Sequence, residues 1–436
     1  MKLLEELLKN MRIGVPSALR VAKVVMDSRK IEQDALFLAI NNGNNYVKEA
    51  LQKGASLVVC DRNQGFTDPR VYECPDTVAF MQELAREYRK AIGLNVVAIT
   101  GSNGKTTTKD ILYGILSTKY KVKKTEGNHN NAIGLPYTLL QLAEDDEIVV
   151  LEMGMSAPGE IDALCGVALP DCGIITNIGD SHLEFLKTRE NVFRAKKEMT
   201  NYVGPGDLYI CGDDMFLATL DGIKTGFSET NDVVIKEYAE GDEGVEFSLS
   251  QKGRETKYRL PLNGRHNALN AALAVTVAKR FKITRKQIEK ALKELSITPM
   301  RFEKIEIDGV RYINDAYNAS PVSMRCALET FRGIYADCHK IAVLGDMLEL
   351  GPNEVNFHKD LLREGVGQGI DEFFLFGPRM RKALDLLEES DREGIRYFSS
   401  KDDIRKAIAK KKAATPRLAV LVKGSRGMAM EEILDR

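Results

Sequence analysis

No apolar run in this sequence approaches the roughly 20 residues that a helix needs to cross a bilayer. The first residues, MKLLEELLKNMRIG, place Glu and Lys among apolar residues at helical spacing. They lack the uninterrupted apolar stretch and small-residue cleavage site of a signal peptide. Both absences lead to the expectation of a cytoplasmic protein without membrane insertion. The seven cysteines (60, 74, 165, 172, 211, 326 and 338) are odd in number and scattered, with no C-x-x-C pair. That argues against a disulfide framework or a cysteine zinc site and for reduced thiols in a cytosol. Charge of one sign is missing too. Lys plus Arg number 62 against 63 Asp plus Glu, so no whole-chain field favours nucleic acid. The local run KYKVKK (119–124) reads as a solvated strand edge. Internal repeats and low-complexity tracts are absent, which removes solenoids and disordered linkers.

What is present is ordinary globular material: 436 residues, 44% hydrophobic and 29% charged. At roughly 150 residues per domain the length suggests about three domains. Residues 1–92 alternate strand signals (ALFLAI, ASLVVC) with helix signals, of which VAFMQELAREYRKAIG (78–93) is the strongest and is closed by glycine. A central region follows, in which NVVAIT (95–100), EIVVLEMG (147–154) and CGIITNIG (172–179) are apolar strands ending in polar and glycine-bearing loops. Such strands suit a parallel sheet covered by helices. GVEFSLSQKGRETKYRLPL (244–262) alternates with period two around a turn and reads as a hairpin. After the proline of SITPMRFE (296–303), RYINDAYN, KIAVLGDM, EFFLFG, IRYFSS and LAVLVKGSRG alternate with helix patterns, as in an open α/β sheet. The expected fold is α/β with three domains, at 1–93, 94–297 and 298–436.

One loop carries chemistry by itself. TGSNGKTT lies between a strand and a helix N-terminus, where backbone N–H groups and the helix dipole favour an anion. Gly101 and Gly104 let the backbone approach phosphate oxygens, Lys105 would pair with the outer phosphates, and the Thr106 hydroxyl would bind Mg²⁺. The loop is one glycine short of the general phosphate-loop pattern, because the position five before Gly104 is Ile99. Glu152 and His182 also stand in strand-end loops, where side chains of α/β sheets reach the ligand crevice. Their residue types suit metal binding. RAKKE (194–198) alone reads as a solvated basic helix face, and Asn267 of GRHNALNA as a helix cap.

TGSNGKTT, GNHNNAIGLP, EMGMSAPGEI, TNIGDSHLEF, RAKKE, GRHNALNA, MRFE, INDAYNASP, LGDMLELG and VLVKGSRGMAMEEI occur in an order that resembles the Mur ligases of peptidoglycan synthesis. The short glycine loop is that family's form, shared with folylpolyglutamate synthases. DAYNASP, LGDMLELG and VKGSRGMAMEEI are most similar to the member that joins D-Ala-D-Ala to UDP-MurNAc-tripeptide.

The resemblance implies a UDP-sugar-binding domain, a central ATPase domain with a phosphate-loop parallel sheet, and a Rossmann-like C-terminal domain in a monomeric enzyme of the cell-wall pathway. It implies ATP, bound by Gly101, Ser102, Asn103, Gly104, Lys105, Thr106 and Thr107, with Asn270 at adenine. Arg301 and Asp315 would reach ATP from the third domain, whose closure would complete the site. Two Mg²⁺ ions are implied, one on Thr106 and Glu152, another near His182 supported by a carbamylated Lys196. Lys105, Lys196, His182 and Asn131 would be catalytic, with Asn130 and Asn131 near the phosphates and acyl group. Ser28 and Arg29 match the family's uridine-site wording. The Gly-Xaa-Xaa-Xaa-Asp-Gly-His stretch that usually follows is replaced by NNGNNYVKEA, without its Asp or His. Tyr317, Asn318, Ser320 and Asp346 are candidates for the D-Ala-D-Ala pocket. A sibling ligase that adds the third residue, a folylpolyglutamate synthase, and a phosphate-loop ATPase without ligase activity remain as alternatives.

Overall fold

The computed structural model describes every residue except Arg12, Ser17, Asn63, Gln64, Gly367 and Arg436. The chain divides into two compact units. One comprises residues 1–100, 119–174 and 195–208, the other 101–118, 175–194 and 209–436.

The first unit holds a four-stranded parallel sheet whose strands Lys23–Val25, Ala35–Ala39, Leu57–Cys60 and Val71–Glu73 lie in chain order. Phe37, Val47, Ala50 and Val58 fill its core. The helix Thr77–Ile92 begins at Asp76, whose side chain accepts from the N–H groups of Val78 and Ala79, and ends at Gly93 with φ +71°. In the same unit Val122–Lys124, Ile148–Glu152 and Asn95–Thr100 pair in parallel, in that spatial order. Ile148–Glu152 is buried throughout, as a strand covered on both faces must be. Val122–Lys124 is the edge strand of this group, in keeping with its lysines.

The second unit carries the expected hairpin, Gly244–Gln251 against Arg254–Leu260, with a third antiparallel strand, Val233–Gly241, that the sequence reading did not separate. An irregularity between Lys236 and Ala239 interrupts that strand's alternation and explains why period-two patterning missed it. Its larger sheet has six strands in the order Glu303–Ile307, Val310–Asp315, Leu418–Lys423, His339–Gly345, Glu372–Phe376 and Ile395–Phe398. All pairs are parallel except the first. Alternation decides which core each side chain joins. Ile341 and Val343 pack with Val420 and Val422 on one face, while Ala342 and Leu344 pack with Leu421 and Phe331 on the other. Both faces are thus covered, and ligand chemistry is left to the carboxyl ends of the strands.

Candidate active site

The phosphate loop leads into the helix Lys105–Leu116, with Gly104 in the left-handed region at φ +81° as the residue before it. A Cβ on Gly104 would lie 2.5 Å from Oδ1 of Asn270, so only glycine fits there. Helix geometry leaves first-turn N–H groups without intrahelical partners, and the dipole makes this end an anion site.

The segment TNIGDSH holds the loop in shape. Asn177 accepts from the Asn103 N–H at 3.0 Å and donates to the Asn103 carbonyl at 3.0 Å. The Ser102 N–H donates to the Asn177 carbonyl, and the Gly179 N–H donates to Ser102 Oγ at 2.9 Å. Two of the loop's N–H groups are therefore used internally. The sequence assigns Asn177 no role by itself; the signal it offers is an amide next to a strand-end glycine loop.

A cavity of about 320 Å³ opens on this loop. Ser102, Asn103, Gly104, Lys105, Thr106 and Thr107 form one wall, and His182 and Asn270 also line it. Arg301, Asp315, Asn318 and Ser320 complete this set, so most of the expected ATP and substrate residues of this unit meet around one space. Arg301 Nη2 donates to Thr106 Oγ1 at 3.0 Å, and its guanidinium stacks 4.0 Å from the Tyr317 ring. Tyr317 supports that arginine and is outside the lining. Ser320 Oγ donates to Asn103 Oδ1 at 3.0 Å and also caps the helix Pro321–Gly333.

Asp315 accepts from the Phe302 N–H at 3.1 Å and from Lys423 Nζ at 2.6 Å. Lys423, 2% exposed, also donates to the Asn318 carbonyl at 3.0 Å. The sequence displayed this lysine at the end of the apolar run LAVLV, and a charge closing a buried strand was the available signal. His182 stands at φ +54°, with Nδ1 2.8 Å from Oε2 of Glu349. That contact holds the Glu349 carboxyl below its usual pKa. His266 lines the same cavity, and burial lowers its pKa. Asn267 is not the helix cap expected of it: it lies inside Arg265–Arg280 and donates to the Asn263 carbonyl, with Gly264 at the cap position.

Asp346 is elsewhere. It is fully buried and accepts from the Arg379 and Met380 N–H groups, starting the helix Pro378–Asp385. A strand-end aspartate can cap a neighbouring helix as readily as face a crevice, and sequence position does not separate the two.

The other expected residues belong to the first unit. Glu152, 4% exposed, accepts from Asn130 Nδ2 at 2.9 Å, and its own N–H donates to Thr125 Oγ1. Asn131 caps the helix Gly134–Leu140 by accepting from the Ile133 and Gly134 N–H groups. Lys196 is 1% exposed, so the solvated-face reading of RAKKE fails at that residue. Arg29 is exposed and paired with Asp27 through two bonds of 2.9 Å, which draw the Asp27 pKa down to about 2. Ser28 opens the same short turn. In the departing stretch, Asn44 is buried and donates to Asp61 Oδ1 at 2.8 Å. Among the described residues no cluster of three His, Cys, Asp or Glu forms a ready metal site, and no helix is long and apolar enough to cross a membrane.

A glycine phosphate loop at a helix start, facing a cavity shared with the carboxyl ends of an open parallel sheet, defines a nucleotide-binding α/β protein. Residues 99–278 match the Mur ligase middle domain, and residues 300–426 match the glutamate ligase domain of Mur ligases. The UDP-N-acetylmuramoyl-tripeptide--D-alanyl-D-alanine ligase of Bacillus subtilis is 38% identical over 423 residues, 94% of this chain and 92% of that protein. Solved MurF structures superpose closely. The Acinetobacter baumannii enzyme has a TM-score of 0.89 at 26% identity, covering 99% of this chain and 97% of that one. The Thermotoga maritima ligase in complex with ADP has a TM-score of 0.86 at 30% identity, covering 96% and 98%. The chain belongs to the Mur ligase family, and it has that family's three-domain α/β fold.

Proposed function

We infer that this chain is the ATP-dependent ligase that joins D-Ala-D-Ala to UDP-MurNAc-tripeptide, releasing ADP and phosphate in the cytoplasm. The observation that carries this reading is the single cavity shared by the phosphate loop and by Arg301, Asp315, Asn318 and Ser320. The identity to the Bacillus subtilis ligase over 94% of the chain supports it.

A carboxylate is a poor acyl donor. Transfer of the γ-phosphoryl group to the tripeptide's terminal carboxylate makes an acyl phosphate and frees ADP. The dipeptide amine then attacks, the amide forms, and phosphate leaves with the bonding electrons of the acyl–oxygen bond. Positioning and charge neutralisation supply most of the catalysis in such transfers. Lys105 and the first turn of its helix bind the phosphates, and Arg301 brings a second cation beside Thr106. Asn270, packed against Gly104, is assigned to the adenine side. Asn130 orients the Glu152 carboxylate.

Magnesium is assigned by residue type: Thr106 offers a hydroxyl and His182 an imidazole at the cavity wall, while Glu152 of the first unit offers a nearly buried carboxylate, hard oxygens being favoured by this ion. Bound Mg²⁺ would supply neutralisation of phosphate charge. Lys196, which is buried, is assigned as a carbamylated residue, as the family resemblance implies; a carbamate presents oxygen donors. Ser28 and Arg29 in domain 1–93 are assigned to the UDP-sugar, 94–297 to ATP, and 298–436 to the dipeptide, with Asn318 and Ser320 as its contacts and Tyr317 behind Arg301. Asp346 is withdrawn from that pocket on the ground of its capping bonds.

The test is phosphate release from ATP with UDP-MurNAc-tripeptide, with and without D-Ala-D-Ala. Release that depends on the dipeptide is expected. Equal release without it would overturn the ligase reading in favour of a simple ATPase.

A further inference from the structure

Arg301 reaches the cavity on an arm of backbone held in an unusual shape. The residues on either side of it, Met300 at φ +62° and Phe302 at φ +53°, both occupy the left-handed region. Few residues other than glycine do so, and such conformations persist only where neighbours hold them. Here the Met300 N–H donates to Glu303 Oε2 at 3.0 Å, the Tyr317 N–H to the Met300 carbonyl, and the Phe302 N–H to Asp315 Oδ1.

Three residues before the arginine, Thr298 makes a different attachment. Its N–H and its hydroxyl both donate to Oδ2 of Asp110, at 2.8 and 2.7 Å. Asp110 is 1% exposed, and its other oxygen lies 3.7 Å from Nζ of the equally buried Lys109. A carboxylate so deeply placed needs hydrogen bonds and a counter-charge. Asp110 and Thr106 are four residues apart on the helix Lys105–Leu116, hence one turn apart on the same face. The arm is therefore fastened twice to one face of the phosphate-loop helix, by Thr298 to Asp110 and by Arg301 to Thr106.

We propose that Asp110 and Thr298 are a positioning pair that registers the arginine arm to the phosphate loop, so that Arg301 is aimed by the nucleotide-binding helix itself. The proposal rests on the nucleotide reading of the cavity. Asp110 does not line the cavity; its effect passes through Thr298 to Arg301.

The experiment compares Thr298→Val, Thr298→Ser, Asp110→Asn, Arg301→Ala and the double variant Thr298→Val/Arg301→Ala. Affinity for the non-hydrolysed analogue AMPPNP with Mg²⁺ is read by calorimetry, and kcat and each KM from dipeptide-dependent phosphate release. Misplacement of a catalytic cation predicts a loss of about tenfold in kcat or analogue affinity for Thr298→Val, with KM for D-Ala-D-Ala within about twofold. Thr298→Ser restores the wild-type value. The double variant is no worse than Arg301→Ala, since the pair acts only through that residue. Thr298→Val with wild-type values, or losses that add in the double variant, would overturn the proposal. Melting curves identify misfolding of Asp110→Asn, and Thr298→Val, which keeps shape and backbone N–H, then decides. If the wild type shows no dipeptide-dependent release, the ligase reading fails, while the calorimetric comparison still decides the positioning pair.

Discussion

Lys423 and Asp315 show how much a single residue can carry without being conspicuous. Their bond of 2.6 Å is almost wholly out of water on the lysine side, and the same ammonium holds the Asn318 carbonyl. Lys423→Met should leave Asp315 without its cation and cost about 3 kcal/mol in urea unfolding, as expected for breaking a buried pair. Phosphate release should fall with it. A variant with unchanged stability would show that Asp315 is paired well enough by the Phe302 N–H. Gly104→Ala tests the loop at the same scale. The new Cβ would meet Asn270 at 2.5 Å at a φ that alanine resists, so ATP affinity should drop, measured by calorimetry, with the rest of the fold intact by circular dichroism. Lys196 is the third case. Intact mass should carry about one extra CO₂ when bicarbonate is present, and Lys196→Ala should lose ligation. Full activity in that variant would remove the residue from the mechanism.

At the scale of elements, the strand end LGDM depends on a histidine 12 residues after the aspartate. His358 is fully buried in the helix Glu354–Gly365; its Nε2 accepts from the Met347 N–H at 2.8 Å, and Nδ1 sits 2.6 Å from the Glu354 carbonyl. Those two bonds use one donor and one acceptor, so they fit the neutral ring alone. Burial holds its pKa below the ordinary 6.5. The unfolded chain then takes up a proton near pH 6.5 that the fold resists. Stability should be complete above that pH and decline as pH falls through it toward the folded value. Urea midpoints at a series of pH values should show this decline, with a smaller one in His358→Gln; His266, lowered in the same direction, keeps the variant from being flat. Legibility followed from the same physics. Strands buried on both faces and the helix closed by Gly93 could be read, because their signals are local; that Ser320 opens a helix was not read from the sequence. The strand Val233–Gly241 was hidden by its irregular register, and the capping roles of Asp346 and Asn131 could not be told from ligand contacts by sequence position.

For the molecule as a whole, nucleotide binding should be visible as stabilisation, since a ligand that binds only the folded state adds about 2.7 kcal/mol at 100 times its Kd. Melting with Mg²⁺ and ATP should therefore shift upward, and the shift should vanish in Gly104→Ala. An unshifted wild type would argue against the ATP assignment. By itself the sequence determined the α/β class, the phosphate loop with its helix, and the family, because periodicity, glycine placement and motif order are properties of the chain. Tertiary structure alone decided that Arg301 bonds Thr106, that Lys423 faces Asp315, and that Asp346 caps a helix instead of lining the cavity. Those facts join residues 33 to 195 positions apart. The strand order that places Leu418–Lys423 beside Val310–Asp315 brings Lys423 to Asp315, and the pairing of His339–Gly345 with Glu372–Phe376 brings Asp346 to the start of the helix Pro378–Asp385.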